Sequence, residues 1–137
     1  YSEQFYQVVV QHLSIGGTMV TQASSPFFAK NVFLSILKSV HAVGIPAVGY
    51  HNHIPTMGEW GWVVGLNANN YKDSDIKNRL MELQFTDIDT RFLNKDAMYH
   101  MLHFGKGIFD QIDEIKVNDE LDLVLYHYYQ NGAWDFY

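Results

Sequence analysis

The fold is decided by a stretch near the middle of the chain, which reads Asn52-His53-Ile54-Pro55-Thr56-Met57-Gly58-Glu59-Trp60-Gly61-Trp62-Val63-Val64. An extended segment ends at its proline, and a glycine leads into an aromatic and β-branched run. Pro and Gly favour tight turns, whereas aromatic and β-branched residues favour strands. We therefore predict a β-hairpin with strands over residues 46–54 and 60–66.

The residues before the hairpin show helical and extended patterns in turn. Residues 2–13 carry apolar side chains, among them Phe5 and Val8, at the spacing of one helix face. The short segment 18–22 is rich in β-branched residues, which predicts a buried strand. A Ser-Pro pair, typical of a helix start, opens a predicted helix over residues 25–44. The predicted order is helix, strand, helix, strand, strand.

The pattern changes after the polar run at residues 67–70. Further helices are predicted over residues 75–83 and 95–104, and a last helix is predicted to begin at a cap formed by Asn118 or Asp119 and to end at Tyr129. We predict an α/β fold in two parts: 1–67, which contains the hairpin, and 68–137, a mainly helical extension packed on it.

Composition excludes several classes of protein. The 137 residues are 47% hydrophobic and 18% charged, which indicates a folded chain. A net charge of -6 with scattered basic residues argues against nucleic-acid binding. The absence of Cys excludes disulfides and fits a reducing compartment, so a cytoplasmic location is expected. Because the chain begins at Tyr1 without Met, we interpret it as a fragment.

With these elements placed, three blocks of sequence resemble the spermidine synthase (aminopropyltransferase) family, and above all its membrane-associated bacterial branch. Their order and spacing extend over nearly the whole chain. The first block is Tyr1-Ser2-Glu3-Gln4-Phe5-Tyr6 with Gly16-Gly17, Val20-Thr21-Gln22 and Ser24-Ser25-Pro26; the second is His53 to Trp62; the third is Arg91-Phe92-Leu93 with Val117-Asn118-Asp119 and Tyr128-Tyr129.

The resemblance implies the C-terminal portion of a methyltransferase-like Rossmann fold. In that family the sheet order is 3-2-1-4-5-7-6 with strand seven antiparallel, and this chain would supply strands five, seven and six. The Gly-rich loop for the donor, the acidic residue for its ribose and the catalytic Asp residues would then precede Tyr1. No catalytic residue is therefore assigned within this chain.

The resemblance also implies a modest set of substrate-binding residues. Gln22 matches a glutamine that lines the polyamine pocket, with a strand-end helix cap as the equal alternative. Met57 stands where many relatives have Tyr in a longer turn, which puts polyamine specificity in question. Glu59 and Trp60 are candidates to offer a carboxylate and a π-face to an ammonium group, although Trp60 is as readily a packing residue. For Trp62 we favour packing.

Histidines and carboxylates elsewhere are weaker candidates. His51 and His53 would point to one face of a strand, but two ligands do not make a metal site, and we predict none. His100 and His103 are interpreted as residues at the edge of the core. A solvated surface is predicted for the acidic residues Asp110, Asp113, Glu114, Asp119, Glu120 and Asp122.

The resemblance implies a parent enzyme that transfers an aminopropyl group from decarboxylated S-adenosylmethionine to a diamine. This chain would contribute part of the acceptor pocket, hold no cofactor of its own and be inactive alone. The alternative is a non-catalytic interaction module, because a fifth strand without its fourth exposes an edge that recruits other strands. A homodimer is expected on that ground, and the parent is expected to carry a membrane segment upstream.

Overall fold

The predicted hairpin is present in the computed structural model, which describes residues 1–132. Its strands are β2 (Ala47–Ile54) and β3 (Gly58–Leu66), and a third strand, β1 (Thr18–Gln22), lies on the other side of β3. The sheet order is β1-β3-β2, and both outer strands run antiparallel to β3. The α/β class is confirmed, and the order matches that expected for strands five, seven and six.

The hydrogen bonds of β3 alternate between its two neighbours. Its odd-numbered residues bond towards β1, as in the Ala23 N–H that donates to the Gly61 carbonyl at 2.8 Å. Its even-numbered residues bond towards β2, as in the Leu66 N–H that donates to Pro46 at 3.1 Å. This alternation is that of a regular antiparallel ladder, so it also fixes which backbone groups of β1 and β2 point outward.

A short turn joins the two strands of the hairpin. The Met57 N–H donates to the Ile54 carbonyl at 2.9 Å, and Gly58 has a φ of 71°. Glycine is favoured in this left-handed conformation, since a side chain would be strained there. The Gly that suggested the turn in the sequence is therefore required by its geometry.

Helices cover both faces of the sheet. On one face lie α1 (Glu3–His12), α2 (Lys30–Ala42) and α5 (Val124–Gln130). Phe33 of α2 packs directly on Gly49 and Gly61, where an added Cβ would lie 2.6 and 2.7 Å from its ring. The core on this face is made of buried residues from several elements, among them Tyr6, Val32, Phe33, Leu34, Ile36, Val40, Val63 and Ile115.

The opposite face is covered by α3 (Asp73–Glu82) and approached by α4 (Lys95–Met101). Ile76 packs on Val64 and Leu66 of β3, with Leu80 at the edge of the cluster. A short 3₁₀ turn, Ile112–Glu114, lies in the segment that returns from α4 to α5. No helix within residues 1–132 is long and apolar enough to cross a bilayer.

Two expectations about the helices were wrong. Phe5 and Val8 of α1 are 50% and 54% exposed, and the buried aromatic residue of this helix is Tyr6. The last helix begins at Val124 and not after Asn118. Asn118 does accept a hydrogen bond from the first turn, at Leu125 N–H, but from outside the helix, because residues 119–122 form a separate bridged turn.

Candidate functional site

An aromatic surface lies on the sheet face opposite α2, towards the hairpin end. Gln22 of β1, Trp62 of β3 and Tyr50 of β2 occupy one row across the three strands. Tyr50 and Trp62 stack, with ring centroids 5.6 Å apart and planes at 17°. Burial raises the pKa of Tyr50, so its hydroxyl stays protonated well above neutral pH. The row brings an amide and a neutral phenol next to an indole.

Trp60 continues this surface one row closer to the turn. It pairs with Asn52 across the hairpin and is two residues from Trp62, so it shares the face of Trp62. Because diagonal neighbours on paired strands are within reach of long side chains, Gln22 lies close to Trp60 as well. The Trp60 indole N–H is buried and meets no hydrogen-bond acceptor within residues 1–132.

Met57 lies at the tip of the hairpin, in the turn described above, and is 42% exposed. Gln22 is also exposed, at the end of β1. All four residues that the resemblance indicated are thus at the hairpin end of the molecule.

Glu59 is on the other face of the sheet. Its carboxylate lies 2.7 Å from Nδ1 of His51 and 3.4 Å from Nδ1 of His53. Residues that follow one another on a strand point to opposite faces, so Glu59 and Trp60 do not present a carboxylate and a π-face on one side. Its two histidine partners are the pair expected to share a strand face.

His51 ties the hairpin to the segment after α4. Its Nε2 lies 2.8 Å from the His103 carbonyl oxygen, and its ring packs on Phe104 with centroids 4.6 Å apart. Both ring nitrogens of the buried His51 therefore have a partner, which is Glu59 for Nδ1 and this carbonyl for Nε2. His103 itself stacks on Tyr99, and no three His, Asp or Glu side chains within residues 1–132 are arranged to hold a metal ion.

The end of β1 is irregular. Both Ala23 and Ser24 hydrogen-bond to Gly61, through the Ala23 N–H and the Ser24 carbonyl, so two residues oppose one, as in a β-bulge. Ser24 has a φ of 63° and is 3% exposed, with no partner for its hydroxyl among the described residues. Such backbone strain is common beside functional sites. Ser25 comes directly after the bulge, and its hydroxyl oxygen accepts from the N–H groups of Phe27 and Phe28 in the turn before α2.

Two of the acidic residues predicted to form a solvated surface have partners of their own. Asp119 accepts from Gln4 and from the Leu121 N–H, which lowers the pKa of its carboxyl group, and Asp122 pairs with Lys116 at 3.3 Å. None of these contacts reaches the hairpin surface.

Sequence reasoning missed Tyr50 and Asn52 as members of this surface. The signal was available, because the turn fixes the register and the register pairs Tyr50 with Trp62 and Asn52 with Trp60. The stacked pair could therefore have been found by counting back from Gly58.

Comparison with known proteins gives consistent matches. Residues 1–79 match the family model for the spermine/spermidine synthase domain. A polyamine aminopropyltransferase of Shewanella oneidensis is 30% identical over 134 residues, which are 98% of this chain and 22% of that protein. A second, of Oceanobacillus iheyensis, is 32% identical over 139 residues, which are 100% of this chain and 25% of that protein.

The fold has solved counterparts. The crystal structure of spermidine synthase from Thermotoga maritima superimposes with a TM-score of 0.65 at 13% identity, over 82% of this chain and 39% of that one. Because the identity is low, this likeness concerns the fold alone. The chain spans about a quarter of the length of the curated relatives named above.

Proposed function

The chain belongs to the spermine/spermidine synthase family, and from this premise we propose that it forms one wall of the amine-acceptor pocket in a polyamine aminopropyltransferase. The protein that carries it would transfer an aminopropyl group from decarboxylated S-adenosylmethionine to a diamine. The chain alone would be inactive, since in this proposal the donor loop and the base lie outside residues 1–137.

One observation supports this assignment most strongly. The register of the sheet brings Gln22 and Trp60 to the same face at the hairpin end, beside the stacked Tyr50 and Trp62. An amide oxygen accepts hydrogen bonds from an ammonium group, and an indole face attracts it through the ring quadrupole. The three aromatic residues can also cover the methylene chain of a diamine.

In the proposed reaction this wall positions the acceptor. The amine nitrogen forms a bond to the propyl carbon, the bond from that carbon to sulfur breaks, and its electron pair neutralises the sulfonium. The proton released by the amine goes to an Asp that the proposal places outside this chain. The contribution of Gln22 and Trp60 is orientation of the reacting amine, a form of catalysis by proximity.

In this proposal Glu59 acts indirectly. Its contacts with His51 and His53 stiffen the hairpin from the opposite face, so the carboxylate positions the turn and its Met57 and does not contact the amine. The tip at Met57 would lie against the methylene chain of the diamine, which an apolar side chain favours over a charged group.

The test is an aminopropyl-transfer assay on the full-length protein that carries this chain. Trp60→Leu should raise the KM for the diamine about tenfold, since a cation–π contact in a desolvated site contributes on the order of 1–2 kcal/mol. Trp60→Phe should retain most of the affinity. Tyr99→Leu, which changes an aromatic residue that is 57% exposed on α4, serves as the control.

An unchanged KM in Trp60→Leu would remove Trp60 from the pocket. A parent that transfers no aminopropyl group to any diamine would overturn the proposed activity as a whole. Fold and function are separable in this way, because one fold supports many chemistries.

An interaction module is the second candidate, and the free edge of β1 favours it. The backbone groups of Thr18, Val20 and Gln22 point away from β3, and Val20 is 58% exposed. An unpaired strand edge of this kind recruits another strand. In this candidate two copies of the chain pair through β1. Light scattering that shows a monomer at high concentration, with rapid amide exchange at Val20, would rule it out.

A further inference from the structure

A cavity of about 480 Å³ lies beside β2, away from the aromatic surface. Its lining includes Leu37, Gly49, Lys77, Leu102, Phe104 and Phe109. Gly49 is five residues before the end of β2 at Ile54, which at about 3.4 Å per residue places the cavity about 17 Å from the hairpin turn. None of its lining residues belongs to the aromatic surface of Gln22, Tyr50, Trp60 and Trp62, to which the amine acceptor is assigned.

The floor of this cavity is a short piece of free strand edge. Because the even-numbered residues of β2 bond to β3, the N–H and carbonyl of Gly49 point outward into the cavity. The neighbouring outward groups, at Ala47, are occupied: its N–H donates to Asp73 at 2.9 Å and its carbonyl lies 3.1 Å from His41 Nε2. Within residues 1–132 no hydrogen bond is made to the Gly49 backbone groups.

One side of the cavity is apolar. Leu37 of α2 and the aromatic rings of Phe104 and Phe109 lie on the sheet face to which the missing side chain of Gly49 would point. The two rings meet edge to face, with centroids 5.0 Å apart. This side accepts a large apolar group.

The other side carries a cation without a partner. Lys77 of α3 is half-buried, and no ion pair or hydrogen bond to its ammonium group is made by any residue from 1 to 132. The Asp73 carboxylate, on the same helix, makes no ion pair with it; this carboxylate accepts from the Ala47 N–H and lies 3.2 Å from His41 Nε2. A half-buried, unpaired ammonium group favours an anionic ligand.

The walls are held in place by several contacts. The His103 carbonyl is fixed by His51, and the Lys38 ammonium group of α2 donates to the Ile112 carbonyl at 3.0 Å. The Lys30 ammonium group donates to Gly107 at 3.3 Å. The segment from Leu102 to Ile112 is thus tied to the hairpin and to α2, so the cavity is preformed.

We propose that this cavity binds an extended peptide in which a large apolar residue is followed or preceded by an acidic one. The backbone of the apolar residue pairs with Gly49. The side chain of that peptide residue then points towards Leu37 and Phe109. The side chains of adjacent residues in an extended peptide point the opposite way, towards α3, so the acidic neighbour reaches Lys77. The occupied groups of Ala47 limit the pairing to a short motif.

The experiment uses fluorescence anisotropy with three labelled peptides and the 137-residue chain. The probe is Gly-Asp-Phe-Asp-Gly with a C-terminal amide, and its controls are Gly-Lys-Phe-Lys-Gly and Gly-Asp-Ser-Asp-Gly. Saturable binding is expected for the probe alone. Lys77→Gln should weaken it about fivefold, the effect of one partly solvated ion pair, whereas Lys95→Gln on α4 should have no effect.

Amide exchange gives an independent readout. Bound probe should slow exchange at Gly49 and leave the Val20 amide on the opposite edge unchanged. The proposal is overturned if the three peptides bind equally, if Lys77→Gln and Lys95→Gln behave alike, or if the probe shows no saturation up to about 1 mM.

Discussion

The two free edges of the sheet are protected to different degrees. Along β2 the edge is partly covered: Asp73, which follows the hairpin, and His41, which precedes it, bond to Ala47, and the His103 carbonyl contacts the His51 ring. Along β1, residues 1–132 make hydrogen bonds to the outer edge only near the ends of the strand and leave the rest of it uncovered, and Val20 is exposed.

Neither strand carries the usual protective residues in its own sequence. Thr18–Gln22 and Ala47–Ile54 contain no Lys and no Pro, which are the side chains that commonly keep a strand edge from pairing. Within residues 1–132, edge protection therefore comes from His41 and from residues 73–112, and it reaches one edge only. On this edge, the outward backbone groups of Gly49 make no hydrogen bond within residues 1–132.

The largest effect is expected from Gly49→Ala, which tests how tightly the covered edge is packed. Its Cβ would lie 2.6 Å from Phe33, so α2 must shift, and overpacking of this kind costs about 1–3 kcal/mol of unfolding free energy. Urea denaturation measures the loss. Gly105→Ala is the control, since a Cβ there meets no atom within 4 Å. Equal stability of the two variants would contradict the packing of Phe33 on the strand.

An effect nearly as large on the unfolding free energy should appear at high pH, at the other edge of the sheet, beside β1. Burial raises the pKa of Tyr6 to about 12, and its hydroxyl donates to Thr21 of β1 at 3.3 Å. Above pH 10 the unfolded chain loses this proton before the folded chain does, so the stability falls by about 2 kcal/mol from pH 9 to pH 12.

Tyr6→Phe should flatten this part of the pH profile of unfolding, measured with urea at each pH. Tyr126→Phe, at a hydroxyl-bearing ring that is 63% exposed, should leave the profile as it is. A profile that keeps its slope in Tyr6→Phe would show that Tyr6 does not link α1 to β1 in the way described.

A smaller effect is expected when the cover of β2 is removed. Asp73→Ala leaves the Ala47 N–H without its acceptor and removes the carboxylate beside His41, which costs about 1 kcal/mol. Hydrogen exchange at Ala47 should become faster, while exchange at Val20 stays the same. Asp96→Ala removes another first-turn carboxylate, at α4, and serves as the control. If both variants leave Ala47 equally protected, the edge is covered by something other than Asp73.

The smallest change in stability is expected on the open edge. Val20→Lys places a charge on a side chain that is already 58% exposed, so the unfolding free energy should change by less than about 0.5 kcal/mol. Any association through β1 should nevertheless disappear, because Lys opposes pairing at a strand edge. Light scattering of both proteins at equal concentration gives the comparison. Association that persists in Val20→Lys would assign it to a different surface.

The hairpin was predicted well because it depends on local signals, whereas the strand order was predicted from the resemblance to the family. Pro55 and Gly58 mark a turn of one geometry, and a turn fixes register. Membership of the family, inferred from the motifs around Gln22 and Trp60, is confirmed by the match over residues 1–79. The division of the chain at residue 67 stays a prediction, as do the roles of Met57 and of Trp60.

The errors arose where partners are distant in sequence. Periodicity placed Phe5 and Val8 on the apolar face of the first helix, but a helix buries the face that meets its neighbours, and here that face carries Tyr6. The contact of Glu59 with His51, whose second partner is the His103 carbonyl, 52 residues away, was also not foreseen, and the role of Glu59 stays a prediction. No local pattern encodes such a contact.

Phe33 and the two glycines beneath it form a set that must change together. Its ring occupies the space that Gly49 and Gly61 leave free, on two neighbouring strands. A larger residue at either glycine needs a smaller one at position 33, and a smaller residue there leaves a void unless a glycine is replaced. Among relatives, a substitution at one of these three positions should therefore be accompanied by a compensating substitution at another, so that the residue at position 33 records how closely the helix approaches the sheet.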